Sequence, residues 1–301
     1  MKLLINKVIK EPTKSNPMIE ILQHGIYTSI QDMGRFNHQC IGVPLSGALD
    51  QQAFRIGNQL LNNPDKAAAL ECTVKGPKIR FHQNTYIALT GADMRAQLNG
   101  RRVSSYTPIE VHENDELELG KAQNGCRTYL TIAGGIKTEK ILGSRSQFKG
   151  LTREERISKK ILLPIGHSDF KPVKGVHLRI PKTAFHKKTI EVYPGPEYPL
   201  LDKIQQKALA KNKFSISKLN NRMAYQLNQK LQHQLPQIWT APVLPGTVQC
   251  TPDGSLIILM QDAQVTGGYP RLFQLTDEAL HLLAQKQTDD EVQFSILPSV
   301  E

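Results

Sequence analysis

Apolar positions along this chain come mostly in short runs set between turn-forming residues. IEIL (19–22) and IYTSI (26–30) flank His24-Gly25 and predict a hairpin. LECTV (70–74), KIRF (78–81), TYIALTG (85–91), AQLNG (96–100), ELELG (116–120) and RTYLTIAGG (127–135) follow. Turn signals recur roughly every eight to twelve residues, which predicts a barrel or sandwich. Further strands are expected at VHLRI (176–180), TIEVYPGPE (189–197), FSISKLNNRMAYQL (214–227), LIILM (256–260) and VQFSIL (292–297). Helical spacing is limited to a few stretches. Ala53, Phe54, Gly57, Leu60 and Leu61 recur behind Asp50, a candidate N-cap, and Asn62-Asn63-Pro64 ends that helix. Leu200–Leu209 and Thr276–Lys286 read as helices too, the second with Asp277 and Glu278 in its first turn. The pattern is mainly β with a few short helices. It divides into a lead-in (1–17), a first lobe (18–188) and a second lobe (189–301), with the boundary in the Lys/His/Pro-rich stretch from His167 to Lys188.

One segment breaks the pattern. QDMGRFNHQCIGVPLSGALD (31–50) holds Gly34, Gly42, Pro44 and Gly47 among polar residues and runs straight into the first helix. Glycines permit backbone geometry that other residues resist, and a polar loop on a rigid scaffold is a frequent seat of function. Asp32, Arg35, Ser46 and Asp50 supply its charge and hydroxyl groups. LTGAD (89–93) and LGSRS (142–146) are two further polar corners. The hydroxyls around Arg145 would suit an anion.

Composition is that of an ordinary globular protein, with 39% hydrophobic and 22% charged residues in 301. No apolar run is long enough to span a bilayer, and Leu3-Leu4-Ile5 is too short for a signal-peptide core, so a cytoplasmic protein is expected. Cys40, Cys72, Cys126 and Cys250 are scattered, without metal-ligand spacing, and read as free thiols. The net charge of +11 is concentrated: residues 137–188 hold 14 basic and 4 acidic side chains. No base-reading motif accompanies them, so an acidic partner chain or a small anionic substrate is favoured over nucleic acid.

GxxxxGK[ST], GxGxxG, HExxH and GxSxG signatures are all missing. Anion handling would then fall to arginines in Gly- or Asn-rich corners: Arg35, Arg145, Arg222 and Arg271. Ten motifs stand in one family's order: QDMGR (31–35), GVPLSGALD (42–50), AALE (68–71), LTGAD (89–93), AGGI (133–136), LGSRS (142–146), GPE (195–197), NRMAYQL (221–227), LPGTVQ (244–249) and DAQVTGGYPR (262–271). They resemble the family of the 5-oxoprolinase C subunit, KipA and allophanate hydrolase subunit 2, which is related to the carboxyltransferase part of urea carboxylase.

That resemblance implies two cyclophilin-like β-barrel lobes and a complex with a sister B-type subunit, like KipI or allophanate hydrolase subunit 1. It implies that the B and C types together use ATP with Mg2+ to activate 5-oxo-L-proline, and that an A-type subunit opens the ring. KipA-like binding of a kinase inhibitor and a carboxyltransferase half-site fed by carboxybiotin are the alternatives. No biotin-accepting Ala-Met-Lys-Met motif occurs, so biotin is not expected on this chain. The resemblance carries catalytic roles onto Asp32, Arg35, Asp50, Arg145 and Arg222. It carries substrate or nucleotide contacts onto Gln31, Ser46, Glu71, Thr90, Asp93, Tyr225, Gln264, Thr266 and Tyr269, with no protein-bound metal. The arginines would bind anions, the two aspartates would orient an arginine or hold a metal-nucleotide, and Gln264 and Thr266 would bond an amide-like substrate. Glu71, behind three alanines, also reads as the buried partner of an arginine. Residues near 32, 93, 145, 222 and 264 are expected to line one cleft.

Overall fold

The structure is a computed structural model that describes residues 18–158, 160–172 and 184–298. The expected lead-in (1–17) and the strand expected at 176–180 lie outside the described residues. Up to residue 172 the elements are β1 (Met18–Gln23), β2 (Tyr27–Gln31), α1 (Gln51–Leu60), β3 (Ala69–Thr73), β4 (Lys78–Phe81), β5 (Thr85–Gly91), β6 (Gln97–Leu98), β7 (Arg101–Arg102), β8 (Ile109–Val111), β9 (Glu116–Glu118), β10 (Arg127–Ile132) and β11 (Ile161–Pro164). They build two sheets, ordered β11-β1-β4-β9-β6-β7 and β2-β3-β10-β5-β8. Alternation places Ile19, Ile21, Ile79 and Phe81 on the inner face of the first sheet. There they meet Leu70, Leu89 and Leu130 of the second in one shared core.

The expected hairpin at 19–30 is not formed. β1 pairs with β4 and β11, whereas β2 pairs with β3 in the opposite sheet. Both strands have a face to bury in the same core, so the chain crosses between the sheets instead of folding back. Gly25 makes the crossing at φ +72°, where an added Cβ would lie 2.5 Å from the Lys75 carbonyl oxygen.

The remaining elements are β12 (Thr189–Pro194), α2 (Lys203–Lys211), β13 (Phe214–Asn220), β14 (Ala224–Lys230), β15 (Ala241–Pro242), β16 (Thr247–Cys250), β17 (Ser255–Leu259), β18 (Thr266–Gly267), β19 (Arg271–Leu275), α3 (Asp277–Ala284) and β20 (Glu291–Ile296). Seven strands close a barrel in the order β12-β19-β16-β17-β14-β13-β20, sealed by the parallel pair β12–β20. β15 and β18 form a separate ribbon. Asp202 caps α2 in a reciprocal capping box, and the Thr276 hydroxyl accepts the Ala279 N–H at the start of α3. The architecture is mainly β, as the pattern predicts.

The irregular segment 31–50 joins the lobes. Leu49, fully buried, packs in the same apolar cluster as the barrel residues Val248, Ile258 and Phe273. The Ser46 N–H donates to the Gln261 carbonyl across the junction at 2.8 Å. Gly34 and Gly47, at φ +97° and +90°, let two stretches of this loop touch: a Cβ on Gly47 would lie 2.8 Å from the Gly34 nitrogen.

Candidate functional site

Between the lobes lies a buried ionic network. Arg222, in the corner between β13 and β14, donates from Nη1 to Glu71 Oε1 at 2.5 Å and from Nε to Asp262 at 2.8 Å. Its Nη2 donates to the Gly47 carbonyl at 2.6 Å. Glu71 Oε2 accepts the Leu49 N–H and the Tyr129 hydroxyl. Arg127, the first residue of β10, lies 3.7 Å from Glu71 and donates to the Tyr225 hydroxyl at 2.6 Å. The side-chain carbonyl of Gln285 accepts the N–H groups of Cys126 and Arg127, and its amide donates to Asp50 at 2.6 Å.

Charge balance explains why this set is tolerated in the interior. Burial alone would raise the Glu71 pKa, but Arg222 and Arg127 outweigh it and hold Glu71 below the usual carboxylate value. Burial would likewise depress Arg222, and Asp262 and Glu71 reverse the sign. Burial pushes the Tyr225 phenol up to about 12 despite the nearby Arg127. Each guanidinium here faces a carboxylate, which is what an interior ion network requires.

The structure therefore places many of the expected site residues in supporting roles. Arg222 and Glu71 are paired with each other, and Tyr225 is a buried acceptor for Arg127. Asp50 caps α1 through the Ala53 N–H at 2.9 Å and also bonds Gln285, and its burial raises its pKa. Asp32 gathers the loops: Oδ1 accepts from Gly34 N–H and the hydroxyls of Ser144 and Ser146, and Oδ2 accepts the Arg145 N–H. Arg35 is fully buried and donates to the carbonyls of Ile141 and Ser146, leaving Nη1 without a partner. Burial lowers its pKa. Gln31 bonds Ser29 and Gln147, and Ser46 is buried at φ 56°. The Thr90 hydroxyl donates to the Ala53 carbonyl under α1. Arg271 is held by both oxygens of Glu197.

Asp93 and the 264–269 group stand apart from this junction. The Asp93 carboxylate is half-exposed and bound by Arg102 at 2.7 Å. Gln264 and Thr266 are exposed around the β15–β18 ribbon, near Gln249, with Tyr269 beside them. Three of the five segments share one cleft, through Gln147, Arg222 and Asp262, while Asp32 lines another. Asp32, Arg145 and their serines form one cluster and Arg222 adjoins it, but Asp93 and Gln264 line neither cleft beside it, although each lies two residues from a junction residue, Gly91 and Asp262.

Two clefts flank the Asp32–Ser146 contacts. One, of about 460 Å³, opens between the lobes, with Tyr27, Phe148 and Met223 in its walls and Arg222 and Asp262 among its lining residues. The other, of about 420 Å³, is walled by Asp32–His38, Lys140–Gly143 and Lys66. Lys66, Lys140, Asp262, Arg127 and Gln285 are not singled out by sequence reasoning. Arg127 carries a usable signal: a charged residue heading a strand whose other residues are all of core-forming size. The lysines carry none, because an exposed lysine is ordinary.

A two-lobed β protein with a loop from one lobe set into the other's core, and clefts beside that joint, has the architecture of a carboxyltransferase-type domain. The family model described as "Carboxyltransferase domain, subdomain A and B" matches residues 41–296, and the chain belongs to that family. The 5-oxoprolinase C subunit of Escherichia coli (strain K12) is 34% identical over 287 residues, 92% of this chain and 90% of that protein. The urea amidolyase of Lachancea kluyveri is 45% identical over 130 residues, 43% of this chain but 7% of that protein. The crystal structure of the K. lactis urea amidolyase superposes with a TM-score of 0.82 at 27% identity, covering 94% of this chain and 19% of that one.

Proposed function

We propose that this chain is the C-type subunit of an ATP-dependent 5-oxoprolinase. In this reading it pairs with a B-type sister subunit to activate 5-oxo-L-proline, and hydrolysis to glutamate is completed by an A-type subunit. The observation that carries the reading is the end-to-end match to the E. coli protein, against a match to only a small part of urea amidolyase. A lactam is a poor electrophile, and ATP supplies the activation by phosphorylating the amide oxygen. This chain's part is to bind and orient. The inter-lobe cleft suits a small cyclic amide: Phe148 and Met223 offer apolar walls, and the Arg222–Asp262 pair a polar floor.

The ATP expectation fits the second cleft, where Lys66 and Lys140 would hold phosphate oxygens. The expectation that Asp32 or Asp50 holds the magnesium ion does not fit, because protein donors already bond both carboxylates. Mg2+ commonly stays on nucleotide phosphates with its own waters, so the reading does not need a protein cage.

The test is reconstitution of this chain with B- and A-type subunits, ATP and 5-oxo-L-proline. Glutamate release that requires all three proteins and ATP is expected. A stable complex without glutamate release would overturn the reading. A second reading, a carboxyltransferase half-site served by carboxybiotin on a partner, draws on the higher local identity to urea amidolyase. Carboxylation of an amide substrate by added carboxybiotin carrier protein would favour it.

A further inference from the structure

The cleft beside the 31–50 loop has a charge pattern that the buried arginines do not share. Lys66 and Lys140 approach it from segments 74 residues apart in sequence, and the half-buried His38 stands on its rim. Among the described residues, neither lysine is within ion-pair distance of a carboxylate. The acid in the wall, Asp32, is 5% exposed, and both its oxygens already accept protein donors. It therefore gives neither lysine an accessible partner. Beneath the wall, Arg35 is fully buried with Nη1 unsatisfied, and its charge offsets that of Asp32, so the two lysines set the charge of the cleft. Phe36 and Leu142, 47% and 37% exposed, add apolar surface to its lining. Two unpaired ammonium groups lining one concavity make its potential favourable to an anion.

We infer that this cleft is an anion-binding site in which Lys66 and Lys140 together hold one phosphate or carboxylate group, with Phe36 and Leu142 flanking the body that carries it. The inference rests on the proposed function only for the identity of the two ligands to be tried. A terminal phosphate of ATP and the carboxylate of 5-oxo-L-proline present the same chemistry to the lysines. Arg35, Arg222 and Arg271 are not this site, because their guanidinium groups already donate to Glu71, Asp262, Glu197 or backbone carbonyls, and Arg145, whose Nε has no partner, does not line this cleft. An ammonium group acts as a point charge, so salt screens the contact and either oxyanion satisfies it.

The test is calorimetric titration of the isolated full chain with inorganic phosphate, ATP and 5-oxo-L-proline, repeated with Lys66→Ala/Lys140→Ala. Both lysines are exposed, so the variant is expected to melt with the parent chain, and thermal unfolding checks this. At least one ligand is expected to bind the parent chain and to weaken roughly tenfold or more in the variant, as loss of charge-assisted bonds requires. Binding of phosphate and ATP identifies a phosphoryl site, and binding of 5-oxo-L-proline alone identifies a carboxylate site. Lack of binding by all three, or binding that the double substitution leaves unchanged, overturns the inference. Binding lost in the variant while reconstitution yields no glutamate would retain the site and reject the proposed reaction.

Discussion

Glu71 is the residue on which the buried charges converge. Its two oxygens meet Arg222, Arg127, the Tyr129 hydroxyl and the Leu49 N–H. Glu71→Ala removes the acid and leaves two guanidinium groups in the interior, so a loss of about 3–5 kcal/mol is expected, measured by urea unfolding at neutral pH. The pH dependence follows from the same contacts. Because the folded pKa of Glu71 lies below its unfolded value of 4.5, its contribution is fully present above that pH. It is lost as pH falls through the lower folded value. Asp50 acts in the opposite direction, since burial raises its folded pKa and favours the protonated form in acid. Glu71→Gln should therefore flatten the acid limb of the parent's stability profile. An unchanged limb would place the acid sensitivity elsewhere.

At the scale of elements, the 31–50 loop is a structural joint as well as a cleft wall. Its glycines allow a turn dense enough to deliver Leu49 into the barrel core, and Asp50 then starts α1 without an intervening linker. Leu49→Ala should destabilise the whole chain by about 2–5 kcal/mol, the usual range for a buried leucine truncation. Ile41→Ala, in the same loop but 67% exposed, should change stability little. Equal losses for the two variants in thermal and denaturant unfolding would contradict the assignment of Leu49 as the plug. This element is legible in the sequence as irregular and important, since its Gly/Pro density and its capping aspartate are sequence features. Its partners are not. Nothing local to GALD indicates that the leucine is received by strands some 200 residues away, because that contact is fixed by tertiary packing.

For the molecule as a whole, alternation and turn spacing are enough to predict a mainly β protein with three helical stretches. The crossing at Gly25 escapes them because a two-strand pattern around a glycine looks the same whether the strands pair or face each other. The arginine corners are legible as special, but their role is not. Sequence shows a charge without showing the carboxylate beside it, and Arg222 and Arg271 prove to be bound by Asp262, Glu71 and Glu197. The +11 net charge points toward anions, and unpaired Lys66 and Lys140 are the groups proposed for that task in place of the occupied Arg35, Arg222 and Arg271. The most direct measurement is the kinetics of the reconstituted three-protein reaction with Lys66→Ala/Lys140→Ala and, separately, with Asp93→Ala, whose side chain lies outside both clefts. A fall of tenfold or more in kcat/KM for the double lysine variant, with Asp93→Ala within about twofold of the parent, is the predicted result. Full activity without the lysines, or its loss with Asp93 alone, would contradict the account.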